Sequence, residues 1–89
     1  MRHTNEKGEL HRTDGPAVVR PSGSREWWVD GKLHRTDGPA VEYADGYSEW
    51  WLNGKLHRID GPAAVRPDDY SEWWVNGEFI ESEYTKEKE

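Results

Sequence analysis

Gly8, Gly31, Gly54 and Gly77 stand 23 residues apart, and no other feature of the chain constrains its fold as much. His11, His34 and His57 keep the same step, and so do Trp27, Trp50 and Trp73. The shared unit reads G-x-L-H-R-x-D-G-P-A, a variable stretch, then E-W-W-x-[DN]. It fills residues 8–30, 31–53 and 54–76 and begins again at 77–81. A strict period of this kind marks units that cannot bury a face alone and must stack on their neighbours. One repeat domain is therefore expected over 1–81, followed by a charged tail over 82–89 that is frayed or weakly helical. The opening residues "MRHTNEK" stand in for a missing upstream half-unit.

The kind of unit is legible from its turns. Asp30-Gly31, Asn53-Gly54 and Asn76-Gly77 each lie between short apolar runs. Asx-Gly in that setting signals a two-residue hairpin, because a type I′ turn needs positive φ at both central residues. Further turn signals are Ser22-Gly23, Asp45-Gly46 and Asp68-Asp69. Asp-Gly-Pro adds a bend that a central ladder position excludes. Tryptophan, valine and tyrosine around the turns favour strands. The expected fold is all-β, an elongated single-layer antiparallel sheet of stacked hairpin repeats.

Extending the Asp30-Gly31 turn pairs Trp28 with Leu33, Trp27 with His34 and Glu26 with Arg35. Glu49 and Arg58 then form an equivalent couple, while Glu72 faces Glu81 and ends the stack. Alternation puts Trp28, Trp51 and Trp74 on one face with the Glu and Arg residues. Joining the outer turns puts Trp27, Trp50 and Trp73 on the other face, beside Val18, Val41 and Ala64.

Composition agrees with a thin structure. A single domain of this length buries about 60–65% of its unfolded surface. The apolar fraction is only 33%, and six tryptophans carry most of the large apolar surface. The net charge of −6 argues against nucleic acid, and no polybasic run suggests an anionic membrane. There is no cysteine for disulfides or zinc thiolates. No apolar run suggests a signal peptide or a spanning helix, so a cytoplasmic protein is expected.

With the unit in view, "YSEWWLNGK" at 47–55 and "YSEWWVNGE" at 70–78 resemble the Y-x-G-x-W-x-x-G-K core of the MORN repeat family, and the bacterial MORN-variant repeats more closely. The resemblance covers 8–79. Glu49 and Glu72 replace a family glycine, and later family glycines give way to Arg35 or Arg58 and to Asp37 or Asp60. The resemblance implies a role in protein association, and some bacterial MORN-variant proteins are described as antitoxins.

His11, His34 and His57 each precede an aspartate by three residues, which raises catalysis or a metal site. Because the pair recurs with the period, a structural role is expected, with no catalytic residue, no metal and no cofactor. The aspartate then serves the bend. The site expected to matter is an exposed tryptophan row: Trp28, Trp51 and Trp74, bordered by Glu26, Glu49, Arg35 and Arg58; the competing reading covers it with long side chains, such as Arg35 over Trp28 by cation–π contact, for stability alone. Such a row suits a protein partner, in particular one with a basic surface, as for a small acidic inhibitor or antitoxin. Self-association through an edge or a tryptophan face is a further expectation. The alternative is a carbohydrate or choline-like ligand stacked on the tryptophans.

Overall fold

In a computed structural model of the protein, which describes residues 1–84, eleven strands form and every pair is antiparallel. No helix forms among the described residues. The fold is all-β and measures 52 × 28 × 16 Å along its principal axes. Nine strands are two residues long: β1 (Val18–Val19), β2 (Arg25–Glu26), β3 (Trp28–Val29), β4 (Lys32–Leu33), β5 (Val41–Glu42), β6 (Ser48–Glu49), β7 (Trp51–Leu52), β8 (Lys55–Leu56) and β9 (Ala64–Val65). β10 (Tyr70–Val75) and β11 (Glu78–Tyr84) are longer. Seven of these make one sheet in the order β1-β2-β5-β6-β9-β10-β11, and β3-β4 and β7-β8 are hairpins beside it.

The inner turns are the type I′ hairpins that Asx-Gly specifies. Asp30 and Gly31 sit at φ 49° and 79°, Asn53 and Gly54 at 52° and 80°, Asn76 and Gly77 at 53° and 80°. Trp28 pairs with Leu33 and Trp51 with Leu56, and the His34 amide donates to the Trp27 carbonyl. Beyond that point the expected pairing ends. Glu26 lies between Val18 and Val41, not opposite Arg35. Glu49 lies between Val41 and Ala64, not opposite Arg58. The reason is the Arg-x-Asp-Gly-Pro segment, which bends the chain away. The amides of Arg12, Arg35 and Arg58 donate to the carbonyls of Trp28, Trp51 and Trp74, each in the next Asx-Gly hairpin along the chain.

The outer loops change which side chains share a face. The amides of Arg20, Tyr43 and Arg66 donate to the carbonyls of Ser24, Tyr47 and Tyr70, so each loop has three residues. Each ends on a left-handed residue: Gly23 at φ 98°, Gly46 at 99° and Asp69 at 71°. A three-residue hairpin loop closes this way, with its last residue in the αL region. The third residue moves the register by one, and a one-residue step moves every side chain to the opposite face. Val18, Val41 and Ala64 therefore stand opposite Glu26, Glu49 and Glu72, on the face of Trp28, Trp51 and Trp74. Ala40 and Ala63 lie beside Trp27 and Trp50, whose amides donate to their carbonyls. The expected assignment of Val18, Val41 and Ala64 to the Trp27 side is thus reversed.

The buried apolar positions are small residues: Ala17, Ala40 and Ala63 at 0% exposure, and Val18, Val41 and Ala64 at 3–4%. All six tryptophans remain half-buried.

The last hairpin departs from the repeat. Without an Arg-x-Asp-Gly-Pro segment, the chain after Gly77 runs straight as β11. A bulge between Trp73 and Trp74 shifts the register, so Glu72 faces Ser82 and Trp73 faces Glu81. The expected Glu72–Glu81 pairing does not form, because one extra residue on β11 displaces it. Ser82–Tyr84 belong to this strand, and 85–89 lie outside the described residues. At the other end Arg2 bridges to Val18 and Thr4 to Leu10. The His3 amide donates to Ala17 and its carbonyl accepts from His11, the pattern that Trp27 makes with Ala40 and His34. His3 thus occupies the place that Trp27 and Trp50 hold in the later units.

Candidate functional site

Two tryptophan rows run along opposite faces, and each unit builds both. On the first face, Trp28 Nε1 donates to Glu26 Oε1 at 2.8 Å, Trp51 Nε1 to Glu49 Oε1 at 2.8 Å, and Trp74 Nε1 to Glu72 Oε1 at 2.9 Å. Residues two apart in a strand share a face, so this bond recurs wherever E-x-W is written. Glu26 and Glu72 also have a second donor. Arg20 donates to Glu26 Oε2 at 2.8 Å, and the Tyr70 hydroxyl to Glu72 Oε2 at 3.2 Å. The Tyr47 hydroxyl lies near the Glu49 carboxylate. Tyr47 stacks on Tyr43 with centroids 5.2 Å apart. Burial first, then the Glu49 carboxylate, raises the Tyr47 hydroxyl far above the usual phenol range; burial likewise raises Tyr43. Between Trp51 and Trp74 lies an open notch of about 340 Å³, with Lys55, Leu56 and Asn76 on its walls.

On the second face the partners are cations. The Arg35 guanidinium lies 3.9 Å from the Trp27 ring centroid, and that of Arg58 lies 3.8 Å from Trp50. Arg35 covers Trp27, not Trp28, so Arg35 and Arg58 are on the face opposite Trp28, Trp51, Trp74, Glu26 and Glu49. The Arg-x-Asp-Gly-Pro motif builds the seat. Arg35 Nε donates to Asp37 Oδ1 at 2.9 Å and Nη1 to the Pro39 carbonyl at 3.0 Å. Arg58 repeats both bonds with Asp60 and Pro62, and Arg12 repeats them with Asp14 and Pro16. A Cβ at Gly38 or Gly61 would come within 2.8 Å of the guanidinium carbon, so glycine leaves room for the cation. The aspartates hold the arginine as much as the bend. Their carboxyls at 14 and 37 fall below the ordinary range because Arg12 and Arg35 bond them. Arg12, with no tryptophan beneath it, contacts His3 Nε2 at 3.1 Å. Between successive arginine seats lie open clefts of about 570 and 390 Å³, the first along Trp27, the second along Trp50.

The repeated histidines staple one hairpin to the next. Nδ1 of His11, His34 and His57 accepts from the amides of Asp30, Asn53 and Asn76 at 2.9–3.0 Å. Each amide opens the next type I′ turn, so the neutral ring carries its proton on Nε2. Among the described residues no three His, Asp or Glu side chains converge as a metal site. No described helix is long and apolar enough to cross a membrane.

No protein-family model matches the chain, and no characterised protein or solved structure matches it either.

Sequence reasoning separated the two rows but set Arg35 and Arg58 beside the wrong one. The E-x-W spacing alone was enough to find the glutamate–tryptophan bond. The arginine–tryptophan stack had no such local signal, since Trp27 and Arg35 meet only after the chain bends.

Proposed function

We propose that the protein is a non-catalytic binding module of MORN-like repeats, and that its binding face carries Trp28, Trp51 and Trp74 with Glu26, Glu49 and Glu72. One observation carries this reading: among the described residues, the rings of Trp27 and Trp50 are already stacked by the chain's own arginines, whereas those of Trp28, Trp51 and Trp74 hold no cation. A free aromatic face beside a carboxylate is a seat for a lysine or arginine from elsewhere. Two such seats, at Trp28 and Trp51, with Trp74 packed edge-on against Phe79 beside them, suit a protein partner with a basic surface. The chain's net charge of −6 favours the same encounter. A small acidic cytoplasmic inhibitor of the antitoxin type fits this chemistry. Arg35 and Arg58 act here as structural cations that cover the rings of Trp27 and Trp50.

Titration with arginine-rich and glycine-serine control peptides, read by tryptophan fluorescence, tests the proposal. Salt-sensitive binding of the basic peptide, lost in Trp51→Ala and kept in Arg58→Ala, is the expected result. Equal binding by both variants removes the face assignment. The Trp51–Trp74 notch gives a second reading, in which a choline-like cation or a sugar ring stacks there. Saturation by choline or an oligosaccharide, with no response to the basic peptide, would select it.

A further inference from the structure

The strands of the main sheet are of two alternating kinds. One kind carries the Ala-Val segment: β1, β5 and β9. The other carries the glutamate that precedes the tryptophans: β2, β6 and β10. Along the sheet the order is β1-β2-β5-β6-β9-β10, strictly alternating. Of the glutamate strands, β2 and β6 each lie between two Ala-Val strands: Glu26 faces Val18 and Val41, and Glu49 faces Val41 and Ala64.

The two ends of this series are unlike. Before β1 comes the N-terminal segment, where Arg2 faces Val18 as Glu26 does, so the segment is a glutamate-type strand without the glutamate. After β10 comes β11, where Ser82 faces Glu72 as Ala64 does on the other side, so its second half is an Ala-Val-type strand. Among the described residues neither has a further strand on its outer side. The sheet therefore begins with one kind and ends with the other. Antiparallel pairing of β11 with residues 1–3 of another copy continues both the alternation and the strand direction.

Charge points the same way. β11 contains Glu78, Glu81 and Glu83 and no cation, while residues 1–4 contain Arg2 and His3 and no acid. In the register of the repeat, His3 of the second copy falls opposite Glu81 and Met1 opposite Glu83 on one face, while Arg2 falls opposite Ser82 on the other. Two β11 strands side by side would instead set carboxylates against carboxylates, which cross-strand pairing disfavours. Every residue of β11 is exposed, with Phe79 at 53% and Ile80 at 56%. A long exposed edge with apolar side chains is a template for another strand.

We infer that this chain associates head to tail, β11 of one copy pairing with the N-terminal segment of the next. The contact is heterologous: every added copy offers a fresh β11, so growth does not end at a dimer. This surface is separate from the tryptophan face of the proposed function.

Sedimentation equilibrium of the full chain over a concentration series tests it. The wild type is expected to rise past dimer mass with concentration. His3→Glu, which sets a carboxylate opposite Glu81, should remain at monomer mass; His3 is half-buried beside Arg12, so circular dichroism checks that the fold is kept. Adding Glu81→Lys to His3→Glu in the same chain should recover association, because the opposing edges are again complementary. Four outcomes overturn the inference: a wild type that stays monomeric throughout, a wild type that stops at dimer, a folded His3→Glu variant that associates like the wild type, or a double variant that stays monomeric.

Discussion

Trp27 and Trp28 are neighbours in sequence and are treated in opposite ways. Trp27 lies under the Arg35 guanidinium, with Arg25 also 5.7 Å from its ring, while Trp28 gives its indole N–H to Glu26. The first arrangement covers a ring with a cation from the same chain. The second anchors the indole edge to a carboxylate and leaves the ring without one. The same contrast recurs at Trp50 and Trp51. At the last pair it fails on one side, because Glu81 faces Trp73 where the repeat would supply an arginine seat. A sheet that buries only small residues fully must draw stability from such half-covered aromatics, and one face can be closed by its own side chains while the other is kept for a partner.

The sharpest way to break this contrast is truncation on each face. Trp50→Ala should cost about 3 kcal/mol, the low end for a large aromatic because the ring is half-buried. It removes the surface under Arg58, whose amide holds the Trp74 carbonyl of the next hairpin. Trp51→Ala should cost less, about 2 kcal/mol, since the Glu49 carboxylate can turn to Tyr47 and to water. Denaturant midpoints of the two variants check the order. If Trp51→Ala unfolds the protein while Trp50→Ala folds normally, the roles of the faces are exchanged.

Arg58 offers a smaller and more specific break. Arg58→Lys keeps the charge and loses the fork that reaches Asp60 and the Pro62 carbonyl together. A loss of about 1–2 kcal/mol is expected, close to that of Arg58→Ala. Full rescue by lysine would mean that charge alone closes the row. Gly61→Ala should act through the same seat, costing about 1 kcal/mol, because its Cβ would push the guanidinium off Trp50. The loss should shrink in an Arg58→Ala background, where nothing remains to displace; a double-mutant cycle reads that coupling.

These particulars show what a sequence of this kind discloses. The period, the type I′ turns and the pairs Trp28–Leu33 and Trp51–Leu56 follow from Asx-Gly and from alternation, which are local rules. The Glu–Trp bond is local too, set by a spacing of two. What could not be read is where alternation stops. Arg35 leaves the ladder because its side chain, Asp37, Gly38 and Pro39 close a loop on themselves, and nothing adjacent to Arg35 announces Trp27 as its cover. The outer loops were a matter of one residue. Ser22-Gly23 fits a two-residue turn as readily as the last two positions of a three-residue loop, and that difference alone decides whether Val18 shares a face with Trp27 or Trp28. Bulged pairing at β10–β11 escaped for the same reason.

The smallest expected effects separate the faces by the sign of their pH response. On the arginine face, Asp14 and Asp37 have folded pKa values below the ordinary 3.8, chiefly through their bonds to Arg12 and Arg35. A depressed acid contributes stability that is present above its unfolded pKa and is lost as pH falls through the folded value, so this face weakens below about pH 4. On the other face, burial raises Tyr43 and Tyr47 above the ordinary 10.0. A raised phenol contributes stability that is complete below its unfolded pKa and is lost as pH rises toward the folded one, so this face weakens above about pH 10. Asp37→Asn should flatten the acid limb of a stability–pH curve and leave the alkaline limb alone. Tyr47→Phe should do the reverse, while keeping the ring that stacks on Tyr43. Both carboxyls are solvent-exposed, so the acid limb should also shallow in high salt, where surface pairs are screened. An alkaline limb unchanged by Tyr47→Phe would mean that its phenol ionises as freely in the folded sheet as in the unfolded chain, and the Tyr47–Glu49 contact would then lose its place in the packing of that face.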